Sequence, residues 1–339
     1  MSKVLYYRIR KKINHFSVFQ RLKLIVAWLR SLVLSSVLRV RRKHIKPDEN
    51  LYIFADPRGG STWLMQILTS LGNRAIIWEP FHQRYGVVSS HLRLGTQKTK
   101  TYPFVPKDLE WPELKKELIK IFNGQQINGI TTSLHPSQYF SNTSFIVKFI
   151  KGNAVLPWIV NNLKIKYKPI HFLRHPIPVA LSQISTFQYR EKFQPLSIPD
   201  QKYPGLIEEH IDFLSKLDTQ LTRNVGLWCV HNLPALASQK EQKWVTIYYE
   251  NLIMDPEPTL RRCFKEWGLS LPQKTLDKVR LRSPTDRENQ LKSDPTQQMN
   301  KWQNALSESQ KKDVQTVLDY FDIKVYSAFD SEPKIKSHE

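Results

Sequence analysis

The chain has 339 residues, which is enough for one large domain or two small ones with an ample core. Hydrophobic residues at 40% and nine tryptophans exclude a disordered chain. The net charge of +21 is unevenly spread, because residues 1–46 hold thirteen Lys and Arg and no Asp or Glu, leaving 38 basic against 30 acidic side chains, or +8, for the rest. A body at +8 does not call for nucleic acid as a partner, and it suits an anionic ligand. Two cysteines, Cys229 and Cys263, make neither a disulfide framework nor a zinc pattern.

The N-terminal segment mixes Arg8, Arg10, Lys11, Lys12 and the cluster from Arg39 to Lys43 with an apolar stretch, Leu24 to Leu38, interrupted by Arg30. As a helix that stretch covers about 22 Å, short of a hydrocarbon core of about 30 Å. Basic flanks resemble a signal peptide, but no small-residue cleavage site precedes the body. The pattern fits a helix lying on an anionic membrane surface, peripheral to an otherwise cytoplasmic protein. A helix packed on the body or on a second subunit, and an N-terminal anchor, are the alternatives. The sequence therefore divides into a basic amphipathic segment (1–46), a body (47–327) and a flexible tail (328–339).

Leu51 to Ala55 reads as a strand that runs into Asp56-Pro57-Arg58-Gly59-Gly60-Ser61-Thr62-Trp63 and then a helix to Leu71. Glycines let the backbone turn tightly and bring its N–H groups near an anion. The helix start adds a partial positive charge, and two hydroxyls add donors. Strand, turn and helix make a phosphate cradle. A mononucleotide loop ordinarily ends in Gly-Lys-Ser/Thr. Here the cation, Arg58, precedes the glycines.

Ala75 to Trp78 reads as a second strand ending in Glu79-Pro80-Phe81-His82. Residues 83–140 lack a clear period apart from a helix near Glu113 to Phe122, and read as an insertion over a site. Ser144 to Ile150 and Pro169 to Leu173 are strands. The first is followed by a helix to Leu163, and the second by Arg174-His175-Pro176 and a helix from Pro178 to about Tyr189. Residues 191–205 form a Pro-rich loop, and one long helical periodicity runs from Leu206 to Leu236. Trp244 to Tyr249 is a strand, and Pro256 to Trp267 a helix closed by Gly268. Ser307 and Gln310 have the spacing of a capping box that opens the last helix. Short strands alternating with helices imply an α/β fold with a mostly parallel sheet covered on both faces.

Arg174 falls at the carboxyl end of its strand, where ligands bind in open α/β sheets. Ser182, two helical turns on, can donate to the same anion. An arginine and a hydroxyl beside the first cradle suggest a nucleotide with phosphates at two positions. Together these stretches resemble the sulfotransferases that use 3′-phosphoadenosine 5′-phosphosulfate (PAPS). Pro57 to Trp63 is similar to the family's 5′-phosphosulfate loop, and Arg174-His175-Pro176 with Ser182 is similar to its 3′-phosphate motif. Tyr248-Tyr249-Glu250-Asn251-Leu252 through Asp255-Pro256, Thr259-Leu260 and Gly268-Leu269 matches a third region, and Lys301-Trp302 before Leu306-Ser307 a fourth. The resemblance is closer to carbohydrate-modifying and bacterial members than to the cytosolic ones.

The resemblance implies a P-loop-like sulfotransferase fold, PAPS as sulfuryl donor and no metal. It places Arg58 on the 5′-phosphate and the bridging oxygen. Gly59, Gly60, Ser61 and Thr62 fall around the phosphosulfate, Trp63 and Tyr249 around the adenine, and Arg174 and Ser182 on the 3′-phosphate. Cytosolic members carry Lys-Thr/Ser-His in the strand before the 3′-phosphate motif, with the His as base. Here the corresponding run is Lys148-Phe149-Ile150, so Ile150 stands where that His would be and Lys148 remains a contact to the sulfuryl group. Trp78-Glu79-Pro80-Phe81 resembles the glutamate arrangement of the carbohydrate-modifying members, which makes Glu79 the expected base and His82 the second candidate. The acceptor expected is a hydroxyl of a carbohydrate or glycolipid. A P-loop kinase, disfavoured by the missing lysine, and a non-catalytic membrane-associated scaffold that binds the desulfated product (PAP) are the alternatives.

Overall fold

The computed structural model describes residues 18–82, 86–92, 103–127, 136–187, 205–279 and 295–334. Among these residues five strands form one sheet: β1 (Leu51–Ala55), β2 (Arg74–Trp78), β3 (Ser144–Phe149), β4 (Ile170–Leu173) and β5 (Val245–Tyr248). Their order is β2-β3-β1-β4-β5 and every pairing is parallel. Parallel strands buried on both faces read as near-continuous apolar runs, and Leu-Tyr-Ile-Phe-Ala in β1 is buried at all five positions.

Alternation sorts the two faces. Tyr52, Phe54, Phe145, Val147 and Phe149 join a cluster completed by the helix Pro112–Phe122 and by Trp158. Leu51, Ile53, Ala55 and Ile146 face the opposite way, against Leu64, Ile67 and Leu68 of the helix Ser61–Thr69. Burying each large apolar side chain is worth about 1.5–3 kcal/mol, so the register is firmly specified. Strands β2 and β3 lie on one side of β1, and β4 and β5 on the other. The chain therefore changes direction across the sheet between β1 and β4, where a ligand crevice opens at the carboxyl ends.

Several elements differ from the sequence reading. The single periodicity from Leu206 to Leu236 is three helices, Leu206–Glu209, Ile211–Ser215 and Gln220–Ala237. The break before the third has a local cause: Thr219 is extended, and its hydroxyl accepts from the Thr222 N–H at 3.1 Å as an N-cap. The β4 helix begins two residues earlier than expected, as Pro176–Phe187, because proline fits a first turn that needs no N–H donor. Tyr249 opens a short helix, Tyr249–Met254, and does not end β5. The capping box at the last helix, Glu308–Tyr320, is present, with Ser307 Oγ accepting from Gln310 N at 3.2 Å and Gln310 Oε1 from Ser307 N at 2.9 Å.

The expected frayed tail is a further correction over residues 328–334. Ala328 and Ser331 are buried, Gln315 Oε1 accepts from the Ala328 N–H at 2.9 Å, and Lys334 N donates to Val325 O at 2.7 Å. The expected loop at 191–205 lies outside the described residues except for Gly205, as do residues 83–85, 93–102 and 128–135 of the expected insertion. At the other end of the chain, the helix Val18–Val40 leads through short 3-10 turns into β1. Among the described residues no helix is long and apolar enough to cross a membrane.

Candidate active site

The turn after β1 holds two residues in the left-handed region, Arg58 at φ 70° and Gly60 at φ 88°. For arginine that conformation costs on the order of 1–3 kcal/mol, and such strain collects at ligand-binding turns. Gly60 is required on a second ground, because a Cβ there would lie 2.7 Å from the ring of Tyr249. Gly59 N donates to Asp56 O at 3.0 Å, and Trp63 N to Gly60 O at 3.0 Å. The helix beginning at Ser61 has no side-chain cap. The N–H groups of Ser61 and Thr62, ahead of the first helical bonds to Gly60 O, are the arrangement that receives an anion.

Side chains from β4 and its helix close on this turn. Arg58 Nε donates to Ser182 Oγ at 2.9 Å, and Arg174 Nη1 donates to Arg58 O at 3.2 Å. Gln183, which sequence reasoning passed over, donates to Pro57 O at 3.0 Å; its position next to Ser182 was the available signal. The Arg174 guanidinium stands 4.1 Å over the Tyr249 ring, a cation–π contact. Tyr249 in turn meets Trp63 edge-on at 5.8 Å. Thus Arg58, Gly60, Trp63, Arg174, Ser182 and Tyr249, drawn from three strand ends, form one cluster. Arg174 Nε is buried and makes no hydrogen bond there, so the cluster retains a cationic donor. That unsatisfied donor, the cation pair and the glycine approach fit a phosphorylated nucleotide.

A second cluster sits at the β2–β3 edge. Lys148 pairs in register with Ile53 of β1 and Trp78 of β2. Its position in β3 puts it on the face of Ile146, under the first turn of the helix Ser61–Thr69. Lys148 Nζ donates to Thr62 Oγ1 at 3.1 Å, lies 3.6 Å from Glu79 Oε1 and stands 4.5 Å from the Trp78 ring centroid. Burial lowers its amine from 10.5 to about 8, against the pull of the Glu79 charge and hydrogen bond. Glu79 has a left-handed backbone at φ 50°, its N–H donates to Lys148 O at 2.7 Å, and Oε2 lies 3.9 Å from His82 Nε2. Both expected base candidates therefore stand together, and Ile150 follows the last residue of β3.

Beneath the turn, on the other face of the sheet, lies a buried polar network absent from the sequence reading. Asp56 Oδ2 accepts from Asn232 Nδ2 at 2.8 Å and Asn153 Nδ2 at 3.3 Å. Asn232 Oδ1 accepts from Asn153 at 2.8 Å and faces His171 Nε2 at 2.9 Å. Asp56 Oδ1 is buried without a hydrogen bond, and burial raises the carboxyl from 3.8 to about 7 despite the Asn232 bond. The signal was an aspartate opening a phosphate turn and an asparagine inside the apolar stretch around Trp228.

An anion cradle at the switch point of a parallel sheet, with a second cation from the next strand, defines a nucleotide-dependent group-transfer domain. The sulfotransferase-domain family matches residues 48–334. The chain belongs to that family and is a PAPS-dependent sulfotransferase, which removes the kinase alternative. Among solved structures it is similar to the sulfotransferase domain from the curacin biosynthetic pathway, at 14% identity over 80% of this chain and 96% of that one, with a TM-score of 0.42. It is also similar to the sulfotransferase domain of the Synechococcus PCC 7002 olefin synthase, at 16% identity over 82% and 96%, TM-score 0.42. Mouse sulfotransferase SULT7A1 complexed with PAP aligns at 13% identity over 85% and 89%, TM-score 0.43. No curated protein matches the sequence significantly.

Proposed function

We propose that this sulfotransferase passes the sulfuryl group of PAPS to a hydroxyl of a carbohydrate or glycolipid, with Glu79 as general base. The observation that carries the reading is the run Thr62–Lys148–Glu79, which joins the helix start of the phosphate turn to the carboxylate after β2. Ile150, where cytosolic members have their histidine, has no group that takes a proton, so the carboxylate within reach of Lys148 is the better base. His82, 3.9 Å from Glu79, is the second candidate.

Arg58, Gly59, Gly60, Ser61 and Thr62 hold the 5′-phosphosulfate by charge and by N–H and hydroxyl donors, and Arg174 with Ser182 holds the 3′-phosphate. Trp63 and Tyr249 border the adenine. When bound, PAPS supplies the sulfuryl group and a leaving phosphate. Glu79 accepts the hydroxyl proton as the acceptor oxygen bonds to sulfur. Lys148 and Arg58 meet the negative charge that grows on the bridging oxygen as the sulfur–oxygen bond breaks. Positioning and electrostatics do the catalytic work, as in phosphoryl transfer. The buried unpaired thiols Cys229 and Cys263 suit a reducing, cytoplasmic setting.

The test is an acceptor screen with sulfur-35-labelled PAPS and extracts of glycans and lipids, wild type beside Glu79→Gln. A labelled carbohydrate or glycolipid is expected, and Glu79→Gln should lower its formation by about 10²–10⁴-fold while PAP still raises the melting temperature. Retained turnover would move the base to His82. Label confined to sugar-free acceptors would refute the acceptor class.

A further inference from the structure

Among the described side chains of the helix Val18–Val40, apolar residues lie on two faces, one buried against the protein and one exposed. Leu34 and Leu38 are 2% and 3% exposed and belong to the core cluster around Phe145 and Phe122. The helix packs there on the turn Pro136–Phe140. Just beyond its end, Arg41 Nη1 fixes it by donating to Tyr139 O at 3.2 Å and Asn142 Oδ1 at 3.1 Å. These attachments sit at the amino ends of β1 and β3, the edge of the sheet away from the nucleotide turn.

The other face is Leu22, Ile25, Val26, Leu29, Leu32 and Val33, each between 44% and 56% exposed. The intervals of three and four keep these six on one stripe of a 3.6-residue helix, about 120° wide at 100° per residue. Exposed Arg39, Arg42 and Lys43 follow it, and the residues from Met1 to Lys46 bring thirteen basic side chains and no acidic one. Isolated exposed apolar residues need no explanation, whereas a contiguous stripe marks a contact surface.

We propose that this stripe is a membrane-docking surface: the helix lies in the headgroup region of an anionic bilayer, apolar stripe toward the acyl chains and basic side chains toward the lipid phosphates. Charge decides for lipid over a second copy of the chain. Pairing two such helices would bring together two sets of four cations, Arg21, Lys23, Arg30 and Arg39, within 46-residue stretches that hold thirteen basic side chains and not one carboxylate. An anionic bilayer offers the missing charge and the apolar phase at once. The helix does not cross the membrane, because Leu34 and Leu38 are held in the protein core.

The experiment is co-sedimentation of the full chain with vesicles of phosphatidylserine and phosphatidylcholine, and with phosphatidylcholine alone. Leu29→Glu combined with Val33→Glu is the test variant, and its melting shift with PAP reports that the body is folded. Expected is binding to the serine-containing vesicles that weakens with salt, and a loss of about a hundredfold in partitioning for the variant with the PAP shift unchanged. Three results would overturn the proposal. The wild type stays in the supernatant with both vesicles; the variant binds as well as the wild type; or the wild type is a dimer that the variant makes monomeric, without vesicle binding. The PAP shift reads the nucleotide site separately, so neither proposal stands or falls with the other.

Discussion

At the carboxyl ends of β1 and β4 the candidate groups bind one another: Arg58 reaches Ser182, Arg174 reaches the Arg58 carbonyl, and Gln183 reaches Pro57. At the β2–β3 edge the candidate groups are held chiefly through Lys148. Glu79 N donates to Lys148 O and Glu79 O accepts from His82 N, its carboxylate lies 3.6 Å from Lys148 Nζ, and β2 is the edge strand of the sheet. The proposed donor half is thus preorganised by contacts between motifs, and the proposed acceptor half is set by one buried lysine between strands. A sulfotransferase needs the first half invariant, since the donor never changes, while the second must fit whatever hydroxyl is modified.

Lys148 is where that comparison breaks most visibly, because it belongs to both halves. Lys148→Met should lower kcat by about 10²–10³, the loss typical of one preorganised donor at a developing negative charge, with PAP affinity changed much less. The pH dependence follows from its depressed amine. Below pH about 8 the side chain is cationic, and above it the cation is lost, so kcat/KM of the free enzyme should fall on the alkaline side of about 8. Stability moves the other way: between about 8 and 10.5 the unfolded chain binds more protons than the folded one, so this group's penalty is relieved as pH rises. Lys148→Arg should carry the alkaline fall to higher pH. An unchanged profile in that variant would assign the fall to another group.

Arg174→Ala tests the donor half alone. It removes a charged hydrogen-bonding group, the cation over Tyr249 and the bond to the Arg58 carbonyl. PAP binding should weaken by about 1.5–3 kcal/mol, read by calorimetry, while the residual kcat at saturating PAPS falls less than in Lys148→Met. Equal PAP affinity in wild type and variant would remove the 3′-phosphate assignment.

The same division governs what could be read from the sequence. Arg58, Gly60, Thr62, Arg174 and Ser182 lie within short motifs next to strand ends, so local chemistry exposed them, and the alternation of strands and helices exposed the parallel sheet. The Lys148–Thr62 bond spans 86 positions. It exists because β3 is inserted between β2 and β1, and strand order is a property of the whole chain. The breaks in the stretch from Leu206 to Leu236 were hidden for the opposite reason: they are made by Thr219 locally, yet the apolar period continues through them. The buried cluster of Asp56, Asn153, Asn232 and His171 assembles four segments; Asp56 and Asn232 stand out in their own stretches, but nothing local names their partners.

That cluster yields the smallest expected effect and the sharpest control on the donor half. Asp56 opens the phosphate turn, and its backbone carbonyl receives Gly59 N–H at 3.0 Å, whereas its carboxylate lies on the other side of the sheet and touches no group of the site. With the carboxyl raised from 3.8 to about 7, the folded protein binds more protons than the unfolded chain over that window. Its contribution to stability is full below about 3.8 and is lost as pH rises through about 7. Asp56→Asn keeps one oxygen for the two asparagine donors and places an amide at the oxygen that has no hydrogen bond. The variant should lose the part of the melting-temperature slope between pH 4 and 7 that belongs to this group, and PAP affinity should change by no more than about threefold, since surrounding bonds rather than charge hold the turn. A large loss of PAP affinity in a variant that melts normally would show that the buried carboxylate's charge acts on the nucleotide through the turn, and the donor half would then reach deeper into the protein than its own side chains.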